Sequence, residues 1–196
     1  VELIQSYLAS DPAAFVSLSA TLRASVIEAA EKSIPGFSQK ILPKLAAERT
    51  YRTLRPFHWA WLSYFAATLI FLGAAWLGAS RLKWGDALGF AFLWVALGFH
   101  VVGFGLRCFV AGRPPVSNMY ESIVWVSFGA VVFSLVIYGL QRQRVLVGVG
   151  STLGALGLLA ADAAPTLMDP GLHPLVPVLR SNYWLTVHVL TITLGY

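Results

Sequence analysis

From Phe57 onward the chain alternates long uncharged stretches with short polar joints. Four stretches, His58–Ala79, Asp86–Leu106, Tyr120–Leu140 and Val145–Ala164, carry only Asp86, Glu121 and Asp162 as charged residues. Each is about 20 residues long, enough to cross a hydrocarbon core of roughly 30 Å as a helix. A fifth apolar stretch begins near Asn182 and runs over 183–196, shorter than a full span. Barrel strands would alternate apolar and polar positions, and these stretches do not, so the backbone must satisfy itself as helix in lipid. The pattern predicts an all-α polytopic transmembrane helical bundle, with four complete spans plus a truncated fifth.

Residues 1–57 follow a different rule. Asp11-Pro12 reads as an N-cap followed by proline at the first helical position. Phe15, Leu18, Leu22, Val26 and Ala30 then recur at helical spacing. Ser33-Ile34-Pro35-Gly36 breaks that helix, and a basic helix is predicted from about Pro43 to Leu54, with Lys44, Arg49 and Arg52 and then Arg55. This region is predicted to be an extramembrane helical segment or linker. Residues 58–196 are predicted to be one membrane domain.

Composition agrees. The chain is 57% hydrophobic and 12% charged, with mean hydropathy +0.70, whereas soluble domains carry about a quarter charged residues. The net charge of +5 therefore reflects loop cations that set topology rather than a nucleic-acid surface. One cysteine, Cys108, excludes an internal disulfide, and no CxxCH haem-attachment motif occurs. The chain begins at Val1 without a signal peptide and closes inside an apolar run, which reads as an internal piece of a longer protein. Arg81, Lys83, Arg142 and Arg144 fall in the first and third joints. Arg107, Arg113 and Arg180 fall in the second and fourth. With the tight Gln141-Arg142-Gln143-Arg144 connection, that places the first and third joints in the cytoplasm. The N-terminal segment and the 107–119 and 165–182 loops then lie outside.

Few residues could carry chemistry. His58, beside Trp59 at the mouth of the first span, reads as an interfacial anchor, and His173 as a solvated loop residue. His100 lies in the middle of the second span, where a neutral imidazole needs a hydrogen-bond partner on a neighbouring helix or a metal. In GRPPVSNMYES, residues 112–122, Ser117 or Asn118 can cap the third span, with Glu121 in its first turn. Arg113 is a cation near a membrane face, able to pair with a carboxylate such as a propionate. In SNYWLTVHV, Trp184 and His188 share a helix face, with His188 about 9 Å into the helix. Neutral imidazole there suits haem iron; the alternative is a headgroup contact.

Taken together, GRPPVSNMYES and SNYWLTVHV resemble the cytochrome c assembly family, the CcsA/ResC-type membrane subunit of the system II haem ligation pathway. The resemblance covers Pro56 to Tyr196, and the basic segment before it resembles the junction of CcsB–CcsA fusions. It implies a component that binds and delivers haem b on the outer side of the bacterial inner (cytoplasmic) membrane. There haem is presented to apocytochrome c for thioether attachment, beside a CcsB/ResB-like part. The motif WLxxHV maps its first external axial ligand onto His188, with Trp184 beside it. The loop motif maps onto Gly112, Pro115, Ser117, Asn118, Tyr120, Glu121 and Ser122. The tryptophan-rich WWD segment and the second external histidine do not occur in this sequence, so the piece is not expected to be catalytic by itself. The cofactor-binding candidates are His188, Trp184, Arg113, Asn118, Tyr120, Glu121 and His100, with haem iron the only metal. The remaining partner is the lipid bilayer, with no nucleic acid. The alternatives are a small-molecule or ion transporter and a membrane anchor without cofactor.

Overall fold

The computed structural model describes residues 2–9, 11–76, 83–113, 116, 118–164, 168, 171, 187–188, 190–192 and 195. Among these, all regular structure is helical. Two compact units divide at Ala47/Glu48, ahead of the boundary at 57 read from the sequence.

The first unit holds α1 (Glu2–Leu8), α2 (Pro12–Ser33), α3 (Phe37–Lys40) and the start of α4 (Leu42–Leu54). Asp11 caps α2, its carboxylate accepting from the backbone of Ala13 at 3.1 Å and Ala14 at 3.0 Å. That satisfies two of the donors a helix start leaves open. Gly36 turns the chain after α2 in the left-handed region, φ 80°, which glycine adopts without steric cost. Glu31 secures this turn by accepting from the Gly36 and Ser38 backbones at 2.9 and 2.7 Å.

The second unit begins within α4 and contains four long helices: α5 (Pro56–Trp76), α6 (Lys83–Ala111), α7 (Met119–Gln141) and α8 (Arg144–Ala163). Each is long and apolar enough to cross a membrane, as is α2. The sequence reading placed α2 outside the membrane, and it carries Arg23, Glu28, Glu31 and Lys32. Residues 187–188, 190–192 and 195 of the predicted fifth stretch are helical. One boundary is corrected: the second span does not end at Leu106 but continues to Ala111. Arg107 is therefore a buried helical residue rather than a loop cation. Its charge has a partner inside the bundle, so it does not end the helix.

Packing is set by small residues on one side of the bundle and rings on the other. α5 packs against α6 and α8, and α8 against α7. On α8, Gly150, Gly154 and Gly157 bring its backbone against Ser134, Val131 and Ser127 of α7, the close approach that small residues permit between membrane helices. Gly103 of α6 similarly admits the Phe57 ring. α6 and α7 instead meet through large side chains. Phe104, Trp125 and Phe128 contact one another with centroids 5.5–5.9 Å apart. Outward positions such as Phe65, Leu72, Phe133, Val136 and Leu156 are exposed apolar side chains, as a surface solvated by lipid requires.

A side chain at Gly154 would meet Val131 Cγ2 at 2.7 Å, whereas nothing lies within 4 Å at Gly139. Gly154→Leu should therefore lower stability by about 1–3 kcal/mol through overpacking, and Gly139→Leu should leave it unchanged. Thermal unfolding of the two variants in detergent checks this.

Candidate functional site

A cluster of polar residues of the second unit lies at one end of the bundle, where α5 and α7 start and α6 and α8 finish. The sequence dictates this end. Pro56 lacks an N–H and disfavours helical geometry in the residue before it. Arg55, in the left-handed region at φ 46°, breaks α4 from α5. At the start of α7, Asn118 is the cap, its Oδ1 accepting from the Glu121 backbone at 2.8 Å. Capping turns the first residues of α7, Tyr120 and Glu121, toward the last turns of α6.

There Glu121 and Arg107 form an ion pair at 3.0 Å, each side chain only 1% exposed. Arg113, from the loop, reaches the other carboxylate oxygen, also at 3.0 Å. Two guanidinium groups thus share one carboxylate. Arg107 also donates to the Tyr51 hydroxyl at 3.2 Å, and the Tyr51 and Tyr120 hydroxyls lie 3.4 Å apart. The Arg107 guanidinium stands over both rings, 5.7 Å from the Tyr51 centroid and 4.8 Å from that of Tyr120. The aromatic faces add attraction where little water is available. Tyr51 ties the end of α4 to this cluster.

The predicted site residues fare differently. Arg113, Asn118, Tyr120 and Glu121 are brought together, and the carboxylate that Arg113 meets is Glu121's. His100 is fully buried and bonded on both sides of its ring. Nε2 lies 3.2 Å from the Val124 carbonyl, and Nδ1 lies 3.3 Å from the Tyr64 hydroxyl. A carbonyl only accepts, so Nε2 carries the proton and, in the neutral ring, Nδ1 accepts from Tyr64. The ring also stacks on Phe104 at 5.2 Å. His100 thus joins α5, α6 and α7 at the bundle centre. His188 lies on a helical turn and is exposed. Two residues on, the Leu190 carbonyl accepts from Trp125 Nε1 of α7 at 3.3 Å, which places this turn beside the early part of α7. Trp184, Pro115, Ser117 and His173 lie outside the described residues.

Sequence reasoning missed Arg107, Tyr51 and Asp162. Asp162 joins α8 to α5, accepting from His58 Nδ1 at 2.7 Å and Trp61 Nε1 at 3.1 Å. The available signal was charge order: Arg107 and Glu121 flank one short loop with opposite signs, and Asp162 is the lone acid of its span.

Removing one partner of a buried pair strands the other charge, at about 3–5 kcal/mol, whereas replacing both by apolar groups costs far less. Glu121→Met should therefore destabilise the bundle by that amount, and Arg107→Met with Glu121→Met should recover much of the loss. Detergent unfolding of the single and double variants measures this. Asn118→Ala, removing the cap, should cost about 1 kcal/mol in the same assay.

No family model matches the chain. Over 134 residues, 68% of its length, the chain is 35% identical to the cytochrome c biogenesis protein CcsA of Trichormus variabilis, covering 37% of that protein. It is likewise 35% identical to the CcsA of Crocosphaera subtropica over 141 residues, 70% of this chain and 40% of the relative. A further match is Protein NrfI of Wolinella succinogenes, 32% identical over 103 residues, 53% of this chain and 11% of that protein. The chain thus spans well under half the length of these curated relatives. A bundle of long apolar helices with this likeness along most of its length belongs to the CcsA-type family of cytochrome c biogenesis proteins.

Proposed function

We propose that the chain serves cytochrome c biogenesis by handling haem at the polar end of the bundle, with His188 as an axial ligand to the iron. The observation that carries this is the His188 ring. It is exposed, belongs to a CcsA-type chain, and hydrogen-bonds no described residue. Haem iron is already held by four pyrrole nitrogens and needs only axial donors, so a single neutral imidazole suits it.

Trp184, four residues earlier in the sequence, would cover part of the macrocycle face. The guanidinium of Arg113 at this end of the bundle is of the type that pairs with a propionate. Asn118 and Tyr120 contribute by fixing the start of α7 against that cluster. Bound haem b would supply the vinyl carbons to which the cysteine thiols of apocytochrome c add. The task left to this chain is holding and orienting the cargo. The partners in this reading are haem, apocytochrome c, a CcsB/ResB-like part and lipid.

The reading puts the polar end on the outer side of the bacterial inner membrane. The sequence tally of joint cations, Arg81, Lys83, Arg142 and Arg144 against Arg107, Arg113 and Arg180, leans toward a cytoplasmic QRQR joint. Residues 1–57 remain outside the membrane in this account, since α2 carries an exposed Glu28–Lys32 pair. The transporter alternative rested on His100, whose ring nitrogens are both engaged within the bundle.

The test is the Soret band of the intact chain purified with haem. His188→Gly should weaken haem retention at least about tenfold, and added imidazole should restore the band. A variant that keeps its haem without imidazole would remove the axial role.

A further inference from the structure

The chain passes from the first unit into the second through α4, and α4 is lightly held. None of its residues is buried, so it lacks the dense apolar contacts that fix α5–α8. It ends in a bend at Arg55, whose φ of 46° puts a residue with a side chain where glycine is the usual occupant. A bend of that kind persists where the surroundings hold it.

The two sides of the bend are held differently. After it, the first turns of α5 are anchored several times over. Phe57 is buried, its ring filling the space left by Gly103 of α6. His58 Nδ1 and Trp61 Nε1 both bond Asp162 of α8, at 2.7 and 3.1 Å. The Arg55 guanidinium lies 3.6 Å from the same carboxylate. Before the bend, the α4 side chain that reaches the polar cluster is Tyr51. Its ring stands edge-on to Phe57, with centroids 6.2 Å apart. Its hydroxyl accepts from Arg107 at 3.2 Å and keeps its own proton for the Tyr120 hydroxyl, 3.4 Å away. One hydroxyl from α4 thus touches α6 through Arg107 and α7 through Tyr120. These are the two helices whose junction the Arg107–Glu121 pair closes.

We propose that α4 is a latch on this rim, with Tyr51 its positioning residue. Closed, the Tyr51 hydroxyl holds Arg107 toward Glu121, and so the end of α6 against the start of α7. Released, α4 swings about Arg55 while α5 stays in place. The latch regulates the haem-handling end proposed above and rests on that reading for its cargo alone.

Hydrogen exchange of the intact chain in detergent, with and without ferric protoporphyrin IX, tests this. Tyr51→Phe keeps the ring and its contact with Phe57 and removes only the hydroxyl. It should speed exchange of residues 48–55 about tenfold, the effect of one lost hydrogen bond to a charged group. Exchange in the first turn of α7 should rise with it, and that of residues 147–158 in α8 should match the parent chain. Haem should slow exchange of residues 48–55 in the parent, since cargo that favours the closed state opposes opening. Tyr51→Phe should bind haem about fivefold more weakly. Arg49→Gln, on the exposed surface of α4, should change none of these. Exchange in Tyr51→Phe that matches the parent, or that rises evenly through α5–α8, overturns the latch. So does haem binding equal to the parent's once α4 has opened. A parent chain that takes up no haem, or His188→Gly that keeps it without imidazole, counts against the haem-handling reading instead. Exchange of residues 48–55 and of the first turn of α7 in the haem-free chain then still decides the latch.

Discussion

The contact between Arg107 and Glu121 is the constraint on which the polar end of the bundle depends. Both side chains are almost wholly withdrawn from solvent, and removing either charge from water costs several kcal/mol. The pair is tolerable only because each member is richly engaged. The carboxylate takes a second guanidinium from Arg113, and the Arg107 guanidinium has the Tyr51 hydroxyl and two aromatic faces. Such a cluster has a steep geometric optimum, so the end of α6 and the start of α7 are held in one relation. That relation matters because α6 and α7 otherwise meet through rings, whereas α7 and α8 meet through small residues. The polar clamp does at one end what close backbone approach does elsewhere.

A second polar link lies at the same end. Asp162 ties α8 to the first turns of α5 through His58 and Trp61. At the opposite end an ion pair between Asp86 and Arg144 joins α6 to the start of α8. His100 adds a bonded post at the centre, spanning α5 to α7. Links of this kind hold a bundle in one arrangement where lipid supplies no hydrophobic drive between helices.

Much of this was legible in the sequence, and the exceptions share a cause. Helix class followed from apolar length alone, because lipid leaves the backbone few choices. The caps at Asp11 and Asn118 were readable because capping is a local matter of side-chain reach. Arg107 was not, because a charge at the edge of an apolar run looks like the end of a span until its partner is known. That partner is fourteen positions on, across a loop. His58 looked like a surface anchor for a similar reason: Asp162, which orients its ring, is distant in sequence and unremarkable by itself. His100 was legible as a histidine needing a partner, but Tyr64 and the Val124 carbonyl emerge only from packing. For His188 the carrying signal was a motif rather than geometry, and its companion Trp184 lies outside the described residues.

The central claim is that imidazole nitrogen from this rim grips haem iron. Near-infrared magnetic circular dichroism of the ferric haem complex of the intact chain, in membranes, reads the axial donors from the energy of the porphyrin-to-iron charge-transfer band. The account predicts a low-spin band at the position of imidazole ligation. A high-spin spectrum, or one with thioether as the only protein donor, would contradict it.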